Sequence, residues 1–89
     1  MSTSGIRAGK KLVEKMFHDM VVTEGLKVDK TWWLELTGDY DRGSISFVVQ
    51  VGNKEVSESF PDEYLTDIKA QQIEPMVAAL VKKLKISAD

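Results

Sequence analysis

Few residues in this chain could carry chemistry. His18 is the single histidine among 89 residues and cysteine is absent, so no multi-histidine or thiolate metal site, cysteine nucleophile or disulfide can form. A Ser-His-Asp arrangement would have to run through His18, which follows Glu14 and Lys15 by one helical turn and reads as a surface residue at the edge of an apolar stripe. Carboxylates are the remaining proton carriers, and residues 35–67 hold eight Asp/Glu against two Lys/Arg. A catalytic pair also needs a cleft and a shifted pKa, which no spacing in that segment demands, so a small enzyme acting through Asp/Glu ranks last. Asp39-x-Asp41 followed by Gly43 opens like a calcium loop, but Gly43 and Gln50 stand where the fifth and twelfth positions need oxygen ligands. Gly38, Gly43 and Gly52 lie between strand-like runs rather than before a helix, so they form no phosphate loop. The expectation is a non-catalytic chain with no cofactor and no metal.

Two groups of residues point to binding instead. Arg7, Lys10, Lys11 and Lys15 make the start of the first helix basic and could meet phosphates, which gives the alternative reading of a weak nucleic-acid-binding domain. Against it, net charge is −2 and no basic run is interleaved with aromatics, so the same four residues read equally as a solvated helix face.

The second group centres on Trp32-Trp33. Adjacent strand residues point to opposite faces, so the two indoles cannot share one core. With Leu34 and Leu36 in phase with Trp32, that set is expected on the core face, together with Phe47, Val49 and Val56. Trp33 then falls on the open face with Val48, Thr37, Ser46, Ser57 and Ser59, an aromatic anchor ringed by small polar side chains. Such a composition suits a protein interface, and the first reading is a protein-interaction or regulatory module that binds another protein, or itself as a homodimer, through the open sheet face or an edge strand.

The elements that must position these residues follow from periodicity. Leu12, Val13, Met16, Phe17, Met20 and Val21 trace one stripe of a helix over residues 5–24, with Thr3 or Ser4 to cap it and Gly25 to end it. Residues 31–37, 44–51 and 55–60 alternate with period two and are separated by turn-forming Gly38–Gly43 and Gly52–Lys54. A Gly52-Asn53 loop would pair Val49 with Val56 and Ile45 with Phe60; an Asn53-Lys54 loop would pair Val51 with Val56 and Phe47 with Phe60. Pro61-Asp62-Glu63 opens a short helix or loop, and Pro75 predicts a break near residues 72–74 ahead of a helix built on Ile73, Val77, Leu80, Val81 and Leu84.

The predicted fold is α+β: an N-terminal helix, a three-stranded antiparallel meander, a short helix or loop and a C-terminal helix, with the helices on one sheet face. The double-stranded RNA-binding domain shares the order helix, three strands, helix. Where that domain meets RNA, this chain has Gly38-Asp39-Tyr40-Asp41 and Asp62-Glu63, whose carboxylates repel phosphate, so no resemblance to the family is drawn. A single domain over residues 5–86 with flexible ends at 1–4 and 87–89 suits the length. No apolar run reaches the ~18 residues of a membrane span and no signal-peptide core is present, so a soluble cytoplasmic protein with no membrane partner is expected.

Overall fold

In a computed structural model, which describes residues 2–35 and 44–88, the apolar stripe winds the N-terminal segment into helix α1, Ser2–Glu24. It begins three residues earlier than the stripe predicts, which puts Thr3 and Ser4 inside the helix and not at its N-cap. Its other end stops as Gly25 predicts: Gly25 takes φ 70°, its N–H reaches the Val22 carbonyl at 3.1 Å, and the Leu26 N–H reaches the Val21 carbonyl at 3.0 Å. That double closure is the Schellman motif, and half-buried Leu26 supplies its apolar contact with the core.

Strands β1, Lys30–Glu35, β2, Ser44–Val51, and β3, Lys54–Pro61, form an antiparallel sheet in the order β1-β2-β3. The hairpin closes with Gly52-Asn53 as the loop, so Val49 faces Val56 and Ile45 faces Phe60. Gly52 alone takes a positive φ there, 59°, as a type II′ turn requires. Asp29 ties the strand start to this turn, its Oδ2 accepting the Gly52 N–H at 2.6 Å while its own N–H bonds the Gln50 carbonyl.

After β3 the chain makes helix α2, Asp62–Thr66, and helix α3, Ala70–Ala88. The break therefore falls at residues 67–69, not at 72–74 as Pro75 suggested. Ile68 makes it: with φ 51° it occupies the left-handed position beyond α2, and the Lys69 N–H closes onto the Tyr64 carbonyl at 2.9 Å. Pro75 lies within α3, near its start, where the missing N–H removes one ladder bond to Gln71 without ending the helix.

The helices cover one sheet face, and Val13, Phe17, Ile45, Phe47, Val49, Phe60, Leu65, Ile73, Val77 and Leu80 are all buried between them. α1 crosses α2 so closely at Gly9 that a Cβ there would sit 2.2 Å from the Leu65 carbonyl oxygen, which only glycine permits.

One face assignment differs from expectation. Trp33 pairs with Phe47, and the same register puts Thr31 opposite Val49, so these residues lie on the helix-covered face. Trp32, opposite Val48, and Leu34, opposite Ser46, take the open face, the reverse of the predicted phase. Alternation favours Trp32 with Leu34 over Trp33, which is flanked in its phase by Thr31 and Glu35, but each phase carries one indole. One indole decides it in space, since Trp33 packs its ring 4.8 Å from Phe47 and 6.0 Å from Phe60. Leu36 and Thr37 fall outside the described residues.

Candidate functional site

The two sheet edges differ, and the hydrogen-bond phase of the ladder shows how. Val51 and Lys54 close the two-residue hairpin as a hydrogen-bonded pair, so the odd residues of β2 bond β3 and its even residues bond β1. On β3 the odd residues then turn their main-chain groups outward. Lys83 of α3 meets one of them, its Nζ donating to the Ser57 carbonyl at 3.0 Å and pairing with Glu58 at 2.9 Å. A lysine laid along an edge is a common block to strand addition.

On β1 it is Lys30, Trp32 and Leu34 that bond β2, through Gln50, Val48 and Ser46, so the N–H and C=O of Thr31 and Trp33 point outward. No hydrogen bond satisfies these four groups among the described residues. Among the described residues no side chain covers the outward main-chain groups of β1 as Lys83 covers Ser57 on β3.

Above that edge stands α1. Trp33 Nε1 donates to Glu14 Oε2 at 2.8 Å, and Lys10 Nζ lies 5.6 Å from the centre of the indole. Between α1 and the start of β1 a cleft of about 390 Å³ remains, lined by Phe17, Val21, Val28 and Phe47 and by the polar side chains of Glu14, His18, Asp29, Lys30 and Thr31. It persists because β1 offers only the small Thr31 side chain there, one pair away from the ring that fills the neighbouring space.

Beneath the edge, the open face carries Trp32 and Leu34, the latter 47% exposed. Val48 lies directly opposite Trp32 and is only 5% exposed although it is on the uncovered face, so that face has its own small apolar centre. Ser46 and Ser59 join across the strands at 3.0 Å, and Ser57 stands beside Val48.

Of the residues expected at an interface, Val48, Ser46 and Ser57 therefore do share the open face, whereas Trp33 does not and Trp32 stands in its place. The missed residues are Trp32, Leu34 and Thr31. Their sequence signal was ambiguous, because Trp32 and Leu34 look like core, and nothing in the sequence marks Thr31 as part of a cleft. The basic group is divided: Arg7, Lys11 and Lys15 are exposed, while Lys10 is half-buried against Trp33. A second groove, about 460 Å³, runs between α1 and α3 past Met20 and Val81, and the Lys85–Glu24 ion pair spans the two helices at 3.0 Å. Among the described residues no three His, Asp or Glu side chains come together as a metal site, and no helix is long and apolar enough to cross a membrane. No family model matches this chain, and no match is found among curated proteins or solved structures.

Proposed function

We propose that the protein is a non-catalytic protein-interaction module that receives a strand of its partner at the β1 edge, with the open face beside it as the supporting surface. One observation supports this reading: the main-chain groups of Thr31 and Trp33 face outward with no hydrogen bond among the described residues, while on the opposite edge Lys83 covers the Ser57 carbonyl. An exposed edge template is expensive to leave open, because it invites indiscriminate pairing, and natural sheets retain one where pairing is used. Trp32 and Leu34 add an apolar anchor of the kind that dominates interface energies.

The test is selection of short random peptides on the immobilised protein, followed by binding to three forms. Thr31→Pro removes one outward N–H without touching the ladder to β2, since proline is tolerated on an outer edge. Trp32→Ser removes the anchor on the open face. Selected peptides should lose at least tenfold in affinity to both variants while circular dichroism stays that of the wild type. Peptides that bind all three forms equally sink the proposal.

A further inference from the structure

The groove between α1 and α3 has a mainly apolar floor, in which Met20 and Val81 lie, and its charges are sorted by helix. α1 brings only carboxylates to its rim, Asp19 and Glu24, and α3 only ammonium groups, Lys82 and Lys85. Glu24 and Lys85 pair with each other at 3.0 Å, whereas Asp19 and Lys82 are exposed and have no ion-pair partner among the described residues. We infer that this helical face binds a second copy of the chain about a two-fold axis along the groove, with α1 of each copy laid over α3 of the other.

The direction of the helices makes the face self-complementary. α1 and α3 run the same way, since Glu24 and Lys85 meet near their C-terminal ends and Met20 shares the groove with Ala78 and Val81 further back. A two-fold axis along the groove keeps every residue at its own level and exchanges the two rims. Asp19 of each copy then comes over Lys82 of the other. Toward the N-terminal side the signs reverse together: Lys11 and Lys15 precede Asp19 on α1, and Glu74, the one acidic residue of α3, precedes Lys82. A two-fold axis across the centre of the groove would instead stack α1 on α1, setting Asp19 against Glu24, and α3 on α3, setting lysine against lysine. Charge selects the first arrangement.

Apolar surface falls on the same faces. Val22 is one turn from Asp19 and Ile86 one turn from Lys82, and at 63% and 67% exposure they are the most exposed large apolar side chains among the described residues. Pro75, Ala78 and Ala79 on the outward side of α3 are exposed and short, so α1 of a second copy can approach closely. The 19 residues of α3 span about 28 Å, and two helices each about 10 Å across make a strip of roughly 500–600 Å² per copy. About 1,000–1,200 Å² in total is the low end for a specific interface, so the dimer is weak and depends on protein concentration. A helix of an unrelated protein would have to bring acid and base in this order beside an apolar stripe, an arrangement that this chain already carries.

Sedimentation equilibrium of the whole chain at rising concentration, with urea midpoints beside it, tests this. The wild type should dimerise reversibly, and less tightly as salt rises. Asp19→Lys and Lys82→Glu should each weaken the dimer at least tenfold, and the two changes in one chain should restore it to within about threefold. Both residues are exposed, so the urea midpoints of all forms should stay alike. A chain that stays monomeric at millimolar concentration overturns the inference, as does a dimer indifferent to both single reversals or a double reversal no tighter than the singles. A dimer abolished by Thr31→Pro but not by Asp19→Lys assigns self-association to the β1 edge and overturns it too. The open sheet face points away from this contact, so loss of dimerisation leaves the edge-docking reading untouched.

Discussion

Trp33 and Glu14 meet 19 residues apart in sequence, indole Nε1 to carboxylate Oε2 at 2.8 Å, and the contact pins helix α1 above the first strand. It satisfies the one polar atom of a ring otherwise packed on Phe47 and Phe60. The adjacent Trp32 has the same side chain and none of these partners.

The two tryptophans should therefore separate stability from binding. Trp33→Ala should cost about 2–3 kcal/mol, somewhat below the 3–5 of a wholly buried ring, and Trp32→Ala less than about 1 kcal/mol. Urea denaturation read by far-ultraviolet circular dichroism checks the order. A larger loss for Trp32→Ala than for Trp33→Ala would show that the face assignment of β1 is reversed.

Gly9 and Gly25 resist substitution for different reasons. Gly9→Ala drives a methyl into the Leu65 backbone and should destabilise by about 1–3 kcal/mol, lowering the melting temperature by roughly 4–8 °C per kcal/mol. Nothing lies within 4 Å of a Cβ at Gly25, so Gly25→Ala meets only the left-handed backbone and should cost about 1 kcal/mol. Thermal melts of both variants give the comparison.

Ile68 offers a gain. A β-branched residue at φ 51° carries about 1–2 kcal/mol of strain, and glycine removes it at an unfolded-state entropy cost of about 0.5–1 kcal/mol. Ile68 is 44% exposed, so little packing is lost. Ile68→Gly should stabilise the fold by about 0.5–1 kcal/mol, and Ile68→Asn should do at least as well; a lower urea midpoint for both would contradict the strain.

Lys83→Ala should barely change stability, by less than about 1 kcal/mol, because Lys83 is half exposed and paired with one glutamate. Its effect should appear in association: with the Ser57 carbonyl uncovered, light scattering at high protein concentration should rise above that of the wild type. No rise would mean that the lysine does not guard the edge.

Most of the fold was legible because each element had one dominant signal. The stripe from Leu12 to Val21 specified α1, Gly25 its end, and Gly52-Asn53 the hairpin whose register then aligned Val49 with Val56. The site was less legible for a physical reason. In β1 the more apolar alternation is Trp32 with Leu34 and Leu36, against a lone Trp33, and burial follows the residue that reaches a partner across space, not the longer apolar set. The break before α3 was misplaced for a similar reason. Proline near a helix start is tolerated, while an isoleucine held in the left-handed region has no local signature.

The unequal edges of the sheet also bear on stoichiometry. A sheet open on both sides is divalent: each strand it takes up can be followed by another across the molecule, and chains of molecules can grow. With Lys83 over the Ser57 carbonyl, strand addition at β3 is disfavoured, and under the proposed reading β1 is the edge that takes up a strand. Binding at each sheet then ends with the first strand, and any higher-order assembly through the sheet alone must draw its multiplicity from the partner, through several copies of the docking segment along one chain.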